Sequence, residues 1–195
     1  MPIETQTKIG LISKALVLLG EKPLESLNDR RYGATVGNNL FELIYEDELT
    51  SNRWRFAMKK GALSQLVAEP LNEWQYAYQL PSDMLLPITT YPSSNYEIYA
   101  DRIYTNNNEV ELDYLFKPEI SAIPAYFALL MAYALARDMV KPITESDNGV
   151  DIWRGKYNFQ RNRAMFADAQ GRPNKPITDS PFTQVRNYRS NRGGR

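Results

Sequence analysis

The chain has 195 residues, 43% of them hydrophobic, and a formal net charge of zero. That length suits one domain, or a compact domain with a smaller lobe and a tail, and the apolar content excludes a wholly disordered chain. It contains neither Cys nor His, so disulfides, thiolate ligands and thiol nucleophiles are excluded, and the commonest general base and metal ligand are absent.

The zero balance hides an asymmetry. Residues 171–195 hold Arg172, Lys175, Arg186, Arg189, Arg192 and Arg195 against Asp179 alone, a net of +5, so the preceding 170 residues carry −5. An acidic body with a basic tail is a statement about partners rather than about fold. The N-terminal segment carries Glu4 early, is interrupted by Ser13 and Lys14, and is followed by no small-residue cleavage site; it does not read as a signal peptide. The longest apolar stretch, around Pro124–Ala136, falls short of the ~18 residues of a membrane span. The expectation is a soluble protein made in the cytoplasm.

In chain order, Ile9, Ile12, Leu16 and Leu19 recur at helical spacing and predict a first helix over Thr5–Leu19, with Thr5 as cap and Gly20 followed by Pro23 as its end. After the turn-rich LGEKPLESLND, Asn28 or Asp29 is available to cap a second helix, Arg31–Thr50. Val36, Leu40, Leu43, Ile44 and Tyr45 mark its apolar face. Glu46, Asp47 and Glu48 are consecutive and point in different directions, which suits a solvated or subunit-facing surface better than an acid/base pair.

The period then changes. Trp54, Phe56 and Met58 alternate with Arg53, Arg55 and Ala57 and predict a strand; Trp74, Tyr76, Tyr78 and Leu80 alternate with Gln75, Ala77 and Gln79 until Pro81-Ser82-Asp83 breaks the pattern. Tyr96–Tyr99 and Ile103–Thr105 read as a hairpin. Asn106-Asn107-Asn108 suit a tight loop, and Val110, Leu112, Tyr114 and Phe116 alternate with Glu109, Glu111 and Asp113. This is a meander with one apolar face. Its aromatics share that face with Leu, Ile, Val or Met, so core packing is expected rather than a stacking platform for bases.

After Pro124 the run AYFALLMAYALARDMV is apolar all round until Arg137 and Asp138, the mark of a helix buried on most sides, with Pro142 as its stop. A last helix, Glu145–Ala169, is amphipathic through Val150, Trp153, Tyr157, Ala164 and Ala167. Asp147–Asp151 lacks the alternating oxygens and distant Glu of a calcium loop and reads as a polar helix start. From Gly171 on, three prolines, three glycines and little periodicity predict an extended arm. Its candidate docking residues are Phe182, Val185, Arg186, Tyr188, Arg189, Arg192 and Arg195.

The pattern is α+β: a four-helix bundle from residues 1–52 and 118–170, an inserted small antiparallel β-rich lobe over 53–117, and a basic, extended C-terminal arm over 171–195. The expected lobe core is Trp54, Phe56, Trp74, Tyr76, Tyr78, Val110, Leu112, Tyr114 and Phe116. No phosphate loop, zinc spacing or nucleophile elbow appears, so no catalytic residue, metal or cofactor is expected.

The order of these pieces resembles a family. A helix running into LLGEKPLESLND, a helix leading to NRWRFAMKKGAL, then YQLPSDMLLP is similar to the tail tubular protein A family, the head-to-tail adaptors of short-tailed bacteriophages. Trp54, Phe56 and Ala57 supply a Trp-x-Phe-Ala element; Leu80, Pro81 and Asp83 supply a Leu-Pro-x-Asp element. The hairpins over 96–119 and the helical pair with Trp153 complete a resemblance covering Ile9–Ala169; the arm lies outside it. The resemblance implies a structural virion protein: a homo-oligomeric ring, commonly of twelve copies, between the portal protein and the tail nozzle protein, lining the conduit for viral double-stranded DNA. The alternative is a nucleic-acid-binding accessory protein using Arg53, Arg55 and the C-terminal arginines.

Overall fold

In the computed structural model, residues 6–26, 28–68, 70 and 73–171 are described. Four helices and two antiparallel sheets make up these residues, an α+β arrangement. The helices are α1 (Lys8–Leu18), α2 (Tyr32–Thr50), α3 (Ala125–Thr144) and α4 (Asp147–Gln170). No described helix is long and apolar enough to cross a membrane.

Local chemistry sets the helix ends. The Thr7 hydroxyl caps α1 by accepting from the Gly10 N–H at 3.1 Å; Thr5, the expected cap, lies outside the described residues. At the other end Gly20 takes a φ of +88°, and the Gly20 and Glu21 N–H groups donate to the Val17 and Leu16 carbonyls. That is a Schellman closure, and it needs the left-handed residue. Neither Asn28 nor Asp29 caps α2. Its N-cap is Arg31, whose side chain makes no capping bond; Asp29 instead accepts from the Arg31 backbone N–H and guanidinium. Pro142 does not stop α3 either. It sits within the last turn, and the chain leaves at Glu145, whose φ is 53°. Ser146 caps α4 by accepting from the Gly149 N–H at 3.2 Å.

α3 is the central helix. α1, α2 and α4 all pack on it, and ten of its residues from Phe127 to Val140 are buried. One hydrophobic core draws on all four helices: Leu11 and Leu16, Phe41 and Tyr45, Phe127, Leu130 and Leu135, Trp153 and Ala164. α1 and α2 approach closely at Gly37, where an added Cβ would stand 2.6 Å from the Ile12 side chain and 3.2 Å from Met139.

The strands are β1 (Met58–Ala62), β2 (Ser64–Gln65), β3 (Tyr76–Gln79), β4 (Met84–Tyr91), β5 (Tyr96–Tyr99), β6 (Arg102–Thr105) and β7 (Glu111–Phe116). They form two sheets, β1-β7-β4 and β2-β3-β6-β5, so the expected single meander is corrected. β4 is an addition: the break at Pro81–Asp83 leads straight into the longest strand. Register shifts between Met84 and Leu86 and between Pro87 and Thr89 blur its period, and Pro87 is tolerated because β4 is an edge strand.

β7 does not present one apolar face, as its alternation predicts, but is buried on both. Leu112 and Tyr114 join a second core with Tyr78, Leu80, Ile103 and Val110, whereas Leu115 joins the helical core. Asp113, on the Leu115 side, is buried and held by Lys60 at 3.0 Å. β7 is therefore the seam between the two cores.

The glycines test this packing. Gly37→Ala should destabilise by about 1–2 kcal/mol, because forcing α1 off α2 outweighs the gain in helix propensity. Gly155→Ala, with nothing within 4 Å of the added methyl, should stabilise by about 1 kcal/mol. Urea denaturation of both variants measures the two signs.

Candidate functional site

The aromatic residues expected in one lobe core divide between two. Tyr78, Val110, Leu112 and Tyr114 lie in the second core, with Tyr76 and Phe116 half-buried against it. The Tyr78 hydroxyl donates to the Asn107 carbonyl at 2.8 Å, which fixes the ring end to end. Trp74 lies outside it: it precedes β3, is only partly buried, and donates its indole N–H to Glu97 at 3.2 Å.

Trp54 and Phe56 are a correction. Residues 55–57 form a single 3-10 turn rather than a strand, and β1 begins only at Met58. Trp54 is fully buried against Phe127 of α3 at 5.2 Å between ring centroids, and its indole N–H donates to the Glu48 carbonyl at 2.7 Å. Phe56 stacks obliquely on the same Phe127 at 4.8 Å. Their alternation marks a shared inward direction, toward the helices.

The two lysines that follow this element are engaged. Lys59 pairs with Asp83 at 2.6 Å and lies over the Phe116 ring; Lys60 pairs with Asp113. The Arg55 backbone N–H donates to Asp168, which also accepts from the Tyr126 hydroxyl at 2.7 Å. Asp168 is a buried carboxylate tying the end of α4 to the 3-10 turn and the start of α3. Arg53 borders an open cleft of about 550 Å³ between α2, β4 and the end of α4, lined also by Asn52, Leu86, Met165 and Ala169. Residues 172–195 continue from that end, so Phe182, Val185, Arg186, Tyr188, Arg189, Arg192 and Arg195 lie outside the described residues.

Glu48 is not on a surface. It is fully buried between α2, α3 and α4, and neither carboxylate oxygen has a hydrogen-bond partner among the described residues. Arg137 Nη1 lies 3.8 Å away, but that guanidinium is engaged by Asp138 at 2.6 Å and stacks 4.2 Å from the Tyr157 ring centroid. Burial pushes the Glu48 carboxyl above its ordinary value, with Tyr157 and Arg137 offsetting part of the rise. Burial, and then Glu48 itself, push the Tyr157 hydroxyl up to about 12. The sequence held the signal: Glu48 stands four residues after Ile44 and seven after Phe41, on the buried stripe of α2.

A second missed feature lies on α4. Besides its buried stripe, Ile152, Phe159 and Phe166 recur every seven residues and are 59%, 66% and 67% exposed. Between Ile152 and Ala167 the helix carries Arg154, Lys156, Arg161 and Arg163 and no acid. Asp147 and Asp151 sit in its first turns, paired with Lys141 and Arg154. Among the described residues no group of three or more metal-binding side chains converges. No protein-family model matches the chain, and no curated protein matches it.

Tyr78→Ala should destabilise by about 3 kcal/mol, while Trp74→Ala should lose well under half of that; equal losses in thermal melts would contradict the division of the aromatic row. Glu48→Gln tests the buried acid. With a folded pKa above the ordinary 4.5, the native state holds the proton longer than the unfolded chain. Stability therefore falls as pH rises from 4.5 through the folded value. The Gln variant, a mimic of the protonated acid, should melt above wild type at pH 8 and lose that advantage by pH 4. An advantage independent of pH would contradict it.

Proposed function

We propose that the chain is a structural, non-catalytic head-to-tail adaptor: a ring subunit that joins a portal to a tail nozzle and forms part of the channel for viral DNA in the virion. Its architecture, on this reading, is a four-helix bundle with an inserted β lobe and a C-terminal docking arm. What carries it is that the first and last helical segments share one core, with the strands between them gathered largely around a second. That is the arrangement the resemblance implies. Supporting it, the ordered polar groups of the interior tie elements together: Tyr45 to the Pro118 carbonyl, Trp54 to Glu48, Asp168 to Arg55 and Tyr126. A ring subunit needs that kind of stiff frame, and an arm with spaced apolar anchors suits docking onto a neighbouring ring.

The test mixes the purified chain, and a version ending at Gln170, with the portal ring from the same genome. By sedimentation and negative stain, the full chain should add a stacked ring to the portal and the shortened chain should fail. If neither binds the portal while the full chain shifts DNA with steep salt dependence, the nucleic-acid alternative replaces the adaptor.

A further inference from the structure

We infer that copies of the chain meet through two different helix faces, the outer face of α2 on one copy against the outer face of α4 on the next. This deepens the adaptor reading, on which the ring itself rests, by naming the surfaces involved.

Both faces turn away from α3. The inward stripe of α2 is Phe41, Ile44, Tyr45 and Glu48, leaving Tyr32, Leu43, Glu46 and Asp47 outside; Leu43 is 70% exposed. On α4, Trp153 and Tyr157 point to Tyr133 and Arg137 of α3, leaving Ile152, Phe159 and Phe166 outside. At a rise of 1.5 Å per residue this second stripe runs for about 20 Å, a line of large apolar side chains rather than a scatter.

The charges identify the occupant. On the outer side of α2, Glu42, Glu46 and Asp47 are acidic with no base among them, Glu48 being buried; from Ile152 to Ala167, α4 carries four bases and no acid, and of these Lys156 and Arg163 flank the Ile152, Phe159 and Phe166 stripe. Lys8 and Lys117 take up part of the Glu42 and Glu46 charge along one edge. Asp47 adds to the acidic side, while the Arg163 guanidinium lies beside the exposed Phe159 ring. Opposite signs around exposed apolar residues are what two surfaces need to steer together and then bury Leu43 against Phe159 and Phe166. The basic arm does not fit the basic α4 face, whereas the α2 face of a second copy does. Because the two patches differ, each contact leaves one of each kind unused at the ends, and the series continues until it closes as a ring.

Charge reversal with mixing tests this. One variant carries Glu46→Lys and Asp47→Lys; the other carries Lys156→Glu and Arg163→Glu. All four side chains are exposed or partly exposed, and circular dichroism checks that both variants fold. With the portal present, each alone should lose the multimers that wild type forms by sedimentation, and an equimolar mixture should regain them, because each reversed face then meets its complement. Folded variants that assemble like wild type, or a mixture that stays unassembled, would overturn the inference while wild-type rings leave the adaptor reading standing. Failure of wild type to assemble at all would remove both. If the α4 reversal instead abolishes DNA binding that wild type shows without the portal, the face belongs to nucleic acid and the inference is overturned.

Discussion

The burial of α3 is the constraint on which the other elements depend. It is apolar almost all round, so no single neighbour satisfies it. α1 and α2 cover one part, α4 another, and Phe127 near its start receives Tyr45, Trp54 and Phe56. Ala128, Ala132, Ala134 and Ala136 are all buried, and small side chains let the covering helices come close. Covering α3 requires the chain to leave the helices after α2 and come back to them, and β7 delivers it. With Leu115 turned to the helical core and Leu112 to the second core, β7 makes the position of the sheets depend on the helices. The hydroxyl of Tyr45, bonded to the Pro118 carbonyl, then holds the return segment in place.

Much of this was legible in the residues, for identifiable reasons. α1, α2 and α4 emerge because burial on one stripe repeats every three or four residues, and α3 because its apolar run is too long for a strand. The β5–β6 hairpin emerges because its alternation is short and clean. What was illegible involves tertiary context. Trp54 and Phe56 alternate like a strand, yet a 3-10 turn gives the same inward direction, and only the position of Phe127 decides which core receives them. β4 was hidden by Pro87 and two register shifts. Pro142 reads as a stop, but α3 runs two residues past it.

The candidate surfaces were the least legible part, and the reason is physical. Glu48 looks solvated when read with Glu46 and Asp47, although its helical phase places it inside. Ile152, Phe159 and Phe166 look like core residues because cores and interfaces draw on the same side chains; exposure alone separates them. Among the described residues one buried carboxylate, Glu48, lacks a hydrogen bond, and the exposed charge is acidic on α2 and basic on the Ile152–Ala167 stretch of α4. A folded body with a closed interior and two complementary exteriors is what the proposed ring subunit requires.

The central claim is that this body works as one member of a ring seated on a portal. Cryo-electron microscopy of the full chain mixed with portal rings tests it most directly. The account predicts a second ring stacked on the first, with α2 of each subunit facing α4 of its neighbour. Portal rings without added density, with the chain monomeric or bound along DNA, would contradict it.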